Sequence, residues 1–160
     1  MTESEYNQAV ETYANALFRF LYKQLNVRED AENLVQDSFE SLWLNREKVE
    51  LVKSKSWLFT TGYRKMIDQL RRDKKMTEMP EVVKEVGSRV QQPDMKKVID
   101  SALDKLPEIQ RTVIMLRDYE GYDYSEIGKI TGLNESQVKV YIFRGRQTMK
   151  NYIVKLDNVI

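Results

Sequence analysis

The side chains in this chain that are best suited to binding chemistry lie near its C-terminus, at spacings of three and four residues. That spacing places residues on one face of a helix. Lysine, arginine and glutamine can bind DNA phosphates and base edges, and apolar atoms can contact a thymine methyl group. The predicted face consists of Lys139, Val140, Phe143, Arg144 and Gln147. A face of this kind fits the major groove of DNA.

Capping signals predict that this face belongs to the second helix of a helix-turn-helix. Asp123 can cap the first helix, with Glu126 at the answering position of a capping box. Gly132 can end that helix, because glycine adopts the left-handed conformation at little cost. Asn134 can cap the second helix, with Gln137 three residues on. An ordinary amphipathic helix pair in a bundle remains the alternative.

A second stripe, rich in basic residues, is predicted on a helix within residues 56–75. Its members are Arg64, Lys65, Asp68, Arg71, Arg72 and Lys75. Trp57 stands near the start of this helix, close to Lys53 and Lys55. Cations that follow a phosphate backbone and rings that stack on unpaired bases are typical of single-stranded DNA binding. Alternatively, Trp57 and Tyr63 are core residues, as aromatic side chains at helical spacing usually are.

Composition excludes several kinds of catalytic site. The chain has no histidine and no cysteine, which removes the commonest general base, the commonest metal ligand and thiolate nucleophiles. No glycine-rich phosphate loop and no convincing pair of carboxylates occurs. We therefore expect no enzymatic activity, no metal site and no cofactor. The lack of cysteine also fits a reducing cytoplasm.

Charge alternates along the chain, although the net charge is only +1. The balance is −5 over residues 1–50, +6 over 51–75, −3 over 76–134 and +3 over 135–160. Two separate basic segments suggest two contacts with a polyanion, and the acidic segments suggest surfaces for basic protein partners.

Apolar periodicity predicts an all-α fold, because period-two alternation and hairpin turn signals are scarce. Helices are expected at roughly 4–25, 30–46, 54–75, 94–105, 108–119, 124–131 and 135–156. No apolar run is long enough for a transmembrane helix, and the polar, acidic N-terminus argues against a signal peptide. We therefore expect no membrane insertion.

Residues 76–94 break the helical pattern and carry two of the three prolines. They are predicted to link a small helical domain at 1–75 to another at 95–160, which contains the helix-turn-helix. The alternative is a further short helix that contains Val82, Val83 and Val86.

A predicted helix at 30–43 combines apolar core positions with acidic surfaces. Leu34, Phe39, Leu42 and Trp43 fall at core-like positions. The acids on its other surfaces are Asp30, Glu32, Asp37 and Glu40. Composition alone leaves two interpretations open, an ordinary solvated face or a docking surface for a basic partner.

These segments together resemble the sigma factors of bacterial RNA polymerase, most closely the small two-domain extracytoplasmic-function (ECF) type. The resemblance rests on residues 30–43, the WLF…IDQLRR run at 57–72, the Leu-Pro pair at 106–107 and the helix-turn-helix at 123–149. These segments occur in the family's order and span most of the chain. The resemblance implies a factor that directs transcription initiation.

The resemblance also implies a division of roles among residues. Contact with the clamp helices of core RNA polymerase is implied for Asp30, Glu32, Asn33, Leu34, Gln36, Asp37 and Phe39. Contact with the melted minus-ten promoter element is implied for Lys55, Trp57, Tyr63, Arg64, Lys65, Arg71 and Arg72. Contact with the minus-thirty-five element is implied for Gln137, Lys139, Val140, Phe143, Arg144 and Gln147. The helices at 96–119 would contact the polymerase flap, and an anti-sigma factor is a further expected partner.

Three residues depart from the family pattern. Arg64 stands where many relatives carry asparagine, so the minus-ten sequence is not carried over. Val140 stands where a small polar residue is common, which leaves the minus-thirty-five preference open. Asn33 stands where an acid is usual, which could retune clamp docking.

Two other classes of function remain as alternatives. One is a stand-alone helix-turn-helix regulator whose N-terminal half is a dimerisation or sensor domain, although such a domain has no need of the basic-aromatic helix at 56–75. The other is a protein that sequesters a partner through its acidic helices, although the basic face at 139–147 argues against it.

Overall fold

A computed structural model describes residues 1–76 and 94–159, and all regular structure within those ranges is helical. The α-helices are α1 (Glu3–Leu25), α2 (Arg28–Leu44), α3 (Leu51–Met76), α4 (Met95–Asp104), α5 (Glu108–Ile114), α6 (Tyr124–Thr131) and α7 (Glu135–Val159). The all-α prediction is confirmed. The expected start of α3 at residue 54 was wrong, because the helix begins three residues earlier at Leu51.

The N-terminal unit consists of α1, α2 and α3, which pack on one another. Its fully buried side chains include Leu17, Phe20, Leu21, Leu42, Leu58, Phe59 and Met66. Gly62 allows α3 to lie close to α1, since a Cβ at this position would lie 3.1 Å from Leu17 Cδ1. The apolar side of α3 therefore faces the core.

The segment predicted as a linker falls largely outside the described residues. Met76 still belongs to α3, and the Asp94 side chain caps α4 by accepting a hydrogen bond from the Lys96 amide at 3.1 Å. The alternative short helix around Val82, Val83 and Val86 lies outside the described residues.

The C-terminal unit consists of α4 to α7 around a core that includes Leu103, Val113, Leu116, Ile127, Val138 and Ile142. Helix α5 does not continue as a regular α-helix to residue 119 as expected. Residues Met115–Tyr119 form a wider π-helical turn, in which the Glu120 amide donates to the Met115 carbonyl at 3.1 Å. Gly145 lies against the end of the Ile114 side chain, which lets α7 approach α5 closely.

The two units contact each other through α3 with α6 and through α1 with α5. Their apolar cores join in one cluster, in which the Phe59 ring lies 6.1 Å from the Tyr122 ring. This joining places part of α3 against the helix-turn-helix unit.

Within the two described ranges, no helix combines the length and the apolar content needed to cross a membrane.

Candidate nucleic-acid interface

Local side-chain caps fix both ends of the turn between α6 and α7. Asp123 accepts a hydrogen bond from the Glu126 amide at 2.8 Å, but no return bond from Glu126 occurs among the described residues, so that capping box is half formed. Gly132 ends α6 in the left-handed conformation, with φ of 82°. The second capping box is complete, because Asn134 and Gln137 exchange side chain-to-amide bonds of 2.8 and 3.0 Å. The predicted helix-turn-helix is confirmed.

The predicted DNA-facing residues of α7 all lie in solvent. They are Gln137, Lys139, Val140, Phe143, Arg144 and Gln147. Phe143 is 70% exposed and Val140 43% exposed, whereas Val138 and Ile142 on the opposite side are buried. Arg144 makes no hydrogen bond or ion pair within the described residues, so its guanidinium group is free to bind a partner.

A cationic groove of about 470 Å³ runs between α6 and α7. Its lining includes Tyr124, Lys139, Arg146 and Lys150. The Lys139 ammonium lies 5.6 Å from the centre of the Tyr124 ring, and Arg146 is held by Asp118 at 2.6 Å. Tyr124, Arg146 and Lys150 line this groove without being among the site residues predicted from the sequence. The same helical spacing that selected Lys139 would have found the two cations.

The basic residues of α3 are distributed over its exposed side. Arg64, Arg71 and Arg72 are exposed and Lys65 is half-buried. None of the four makes an ion pair within the part of the chain that the structure describes. Trp57 is half-buried against the core, so its ring is only partly available for stacking.

Two residues expected at minus-ten DNA do not present a free side chain. The Lys55 ammonium lies 3.4 Å from Glu120 Oε1 in the C-terminal unit. Tyr63 is 7% exposed and belongs to the core, as the alternative interpretation held. Burial raises the pKa of Tyr63 to about 12, with a further rise from the charge of Glu108 and a smaller lowering by Arg71.

Helix α2 presents most, but not all, of its predicted polymerase-binding residues. Glu32, Asn33, Gln36 and Asp37 are exposed and Asp30 is half-buried. Leu34 and Phe39 are 5% and 7% exposed, so they do not form part of the surface. These apolar side chains pack inward against α1 and α3, as their spacing predicts, and their implied contact with the clamp helices stays a prediction.

Comparison with known proteins gives two family matches along the chain. Residues 9–76 match the family described as Sigma-70 region 2, and residues 96–149 match Sigma-70, region 4. These spans contain α3 and the helix-turn-helix, respectively.

Proteins with similar sequences are described as RNA polymerase sigma factors. The RNA polymerase sigma factor SigV of Bacillus subtilis (strain 168) is 31% identical over 142 residues, which cover 88% of this chain and 86% of SigV. The ECF RNA polymerase sigma factor SigE of Mycolicibacterium smegmatis is 27% identical over 159 residues, and the chain spans 62% of SigE.

A solved structure shares the fold. The sigma factor RpoE from Bartonella quintana, in complex with the anti-sigma factor NepR, matches with a TM-score of 0.73 and 23% identity, over 92% of this chain and 95% of RpoE. The family matches in both units and the sequence relatives show that the chain belongs to the ECF type of RNA polymerase sigma factors.

Proposed function

We propose that this chain binds core RNA polymerase, recognises the minus-thirty-five and minus-ten elements of a promoter and directs transcription initiation there. The observation that carries the proposal is the exposed face of α7, where cations, amides and an exposed aromatic ring stand together on a capped helix. Such a face suits base edges and phosphates in the major groove.

In this proposal, α7 binds the minus-thirty-five element. Arg144 is free to donate two hydrogen bonds to a guanine, and Val140 and Phe143 offer apolar contact to thymine methyl groups. Gln137 has a narrower role, because its side-chain oxygen already accepts a hydrogen bond from the Asn134 amide. The side-chain nitrogen of Gln137 can still donate hydrogen bonds, so its expected partners are acceptors such as guanine O6, thymine O4 or a phosphate.

The minus-ten element is assigned to α3. Arg64, Lys65, Arg71 and Arg72 are the cations that would follow the backbone of the melted strand. Trp57 would stack on an unpaired base, and capture of unstacked bases would offset the cost of melting. Lys55 joins this surface only if Glu120 of the C-terminal unit releases it, and Tyr63 lies in the core in this conformation.

Polymerase contacts are assigned to two further surfaces. The exposed acids Glu32 and Asp37 on α2 suit basic groups on the clamp helices, while Leu34 and Phe39 hold that helix on its core. A mostly apolar groove of about 460 Å³ lies between α4 and α7. Its lining includes Ile99, Leu103, Tyr119, Met149 and Val154. This groove is the proposed site of the flap.

The division into two DNA-binding domains explains why the chain would depend on polymerase to bind promoter DNA tightly. We assign the domains to residues 1–75 and 95–160, with 76–94 between them. Neither carries enough basic surface for tight, salt-resistant binding to duplex DNA. Docking both on polymerase makes their DNA contacts intramolecular and raises the effective concentration of each.

An anti-sigma factor is the proposed regulator. The relative RpoE was solved together with the anti-sigma factor NepR, and we extend this type of partner to the present chain. Since sigma factors act on polymerase, the chain is assigned to the cytoplasm and to a role without catalysis of its own.

Binding to core polymerase, followed by run-off transcription from a genomic fragment library, tests the proposal. We expect binding, with initiation at sites that share two spaced elements. A folded chain that failed to bind core enzyme, and instead bound palindromic duplex sites as a dimer, would overturn it in favour of a stand-alone regulator.

A further inference from the structure

The cationic groove between α6 and α7 extends the basic surface of α7 beyond its base-reading face. Its cations are Lys139, Arg146 and Lys150, and no acid of the described chain lines it. These positions are seven and four residues apart, so they form one stripe along the helix. Arg144 does not line the groove, because two residues of an α-helix turn a side chain by about 200°. The groove therefore faces away from the arginine that is proposed to read base edges.

The length of this stripe favours a chain of anions over a single small one. An α-helix rises about 1.5 Å per residue, so Lys139 and Lys150 are about 16 Å apart along the axis of α7. The phosphates of one DNA strand repeat about every 3.4 Å along the duplex axis. A stripe of this length can therefore contact more than one phosphate of the same strand.

Tyr124 stands at the α6 side of the groove, close to two cations. The centre of its ring lies 4.9 Å from the Arg117 guanidinium and 5.6 Å from the Lys139 ammonium. Arg117 is itself fixed, because it donates a hydrogen bond to the Tyr122 carbonyl oxygen at 3.0 Å. Contacts between cations and the ring hold Tyr124 in place. Its hydroxyl makes no hydrogen bond within the described ranges and can donate to a phosphate oxygen.

An acid at the edge of the groove already occupies one of the cations. The Arg146 guanidinium lies 2.6 Å from Asp118 Oδ1, and the two side chains are 50% and 39% exposed. Asp118 belongs to the π-helical turn and lines the neighbouring apolar groove, whereas Arg146 lines both grooves. An ion pair that is exposed to this extent contributes little free energy. A phosphate can therefore compete with Asp118 for Arg146.

We propose that the cationic groove binds the phosphate backbone of duplex DNA through Tyr124, Arg146 and Lys150, and that Asp118 competes with the phosphates for Arg146. The inference rests on the proposed function for the placement of duplex DNA on α7. Phosphate contacts position a protein on DNA but carry no sequence information. The groove therefore supplies affinity and salt dependence, while Arg144 supplies sequence preference.

Binding of the full chain to a fluorescein-labelled duplex of mixed sequence, at several salt concentrations, tests the phosphate site without a known promoter. Arg146→Ala and Lys150→Ala are each expected to weaken binding about threefold at low salt. Each should also reduce the slope of log affinity against log salt by about one. Lys155→Ala is the matched control, because Lys155 is exposed on α7 but does not line the groove. Circular dichroism checks that every variant remains helical.

A double-mutant cycle tests the competition by Asp118. Asp118→Asn removes the charge and keeps the side-chain shape, so it should tighten binding about two- to fivefold, as expected for the loss of an exposed ion pair. The same substitution in an Arg146→Ala background should give no gain, because the competition has lost its object. A general effect of removing negative charge would instead tighten binding in both backgrounds.

Unchanged affinity and salt slope in both Arg146→Ala and Lys150→Ala would overturn the phosphate site. Absence of a gain from Asp118→Asn, or a gain that persists without Arg146, would overturn the competition. Displacement of the duplex by micromolar inorganic pyrophosphate would overturn the assignment to DNA in favour of a small anion.

Run-off transcription with core polymerase on the same samples tests the proposed function separately. A wild-type chain that supported no initiation would count against that function. The affinities and salt slopes measured on the duplex would still decide whether the groove binds phosphates.

Discussion

The two proposed DNA surfaces are built from similar residues but differ in access. On α7, Lys139, Phe143 and Arg144 all stand in solvent. On α3, Lys55 is paired with Glu120 and Tyr63 is buried, although Arg64 and the later arginines are exposed. A basic and aromatic pattern therefore defines a helix face, and the packing of more distant elements decides whether that face can be reached.

The largest expected effect comes from the exposed DNA surface of α7, which is called the open surface below. Arg144→Ala should weaken use of a promoter that needs its minus-thirty-five element by about 1–3 kcal/mol, because a guanidinium contact to a base edge is lost. Lys139→Ala should act in the same direction. Run-off transcription measures the effect, and Lys155→Ala, exposed at the far end of α7, is the control. Equal transcription from wild type and both variants would contradict the assignment.

The open surface also depends on the turn that supports it. A Cβ on Gly128 would lie 2.7 Å from the backbone oxygen of Leu133, which cannot move aside without shifting the turn. Gly128→Ala should therefore lower the free energy of unfolding by about 1–3 kcal/mol, as measured with urea. Gly145→Ala should cost less, because its methyl group meets the flexible end of the Ile114 side chain. A Gly128→Ala variant as stable as wild type would break this explanation.

Polymerase binding sharpens the comparison, because α2 is as open as α7. Asp37→Lys should lower the affinity for core polymerase roughly fivefold, since an exposed charge is reversed at a proposed contact. Glu47→Lys makes the same change at an exposed position just beyond α2 and should have little effect. Affinity that is unchanged by Asp37→Lys, in a chain with an intact fold, would argue against docking through α2.

The smallest effect near neutral pH is expected from the buried tyrosines Tyr63 and Tyr122. Burial is the main cause that raises the pKa of both Tyr63 and Tyr122 to about 12, from about 10 when unfolded. The unfolded chain therefore ionises first, so stability is complete below pH 10 and falls as the pH rises through 12. Urea unfolding across this range should lose part of that slope in Tyr63→Phe and in Tyr122→Phe. An identical slope in wild type and both variants would exclude the two tyrosines as its source.

The helix-turn-helix could be predicted in detail because its signals are local. The Asn134 and Gln137 bonds, the left-handed Gly132 and the exposure of Arg144 all follow from residues within one or two helical turns. The burial of Val138 and Ile142 follows from the same period. Caps and periodicity act over short distances, so the sequence alone contains most of this information.

The contact that covers Lys55 on α3 could not be predicted in the same way. The bond from Lys55 to Glu120 joins residues 65 positions apart, and no local pattern indicates such a pairing. The inward packing of Leu34 and Phe39 follows from apolar spacing. The family resemblance assigned polymerase contact to residues all along their helix and did not separate buried from exposed positions.

The π-helical turn at Met115–Tyr119 is the last turn of its helix, because residues 121–123 are not helical and α6 begins at Tyr124. A π-turn holds one residue more than an α-turn, so this turn stores one extra residue of chain. Deleting one residue from it would let the helix end as an ordinary α-turn and leave less chain to carry Glu120 to Lys55 and Tyr122 to Phe59. The stored residue thus provides slack at the point where the two halves of the molecule are joined.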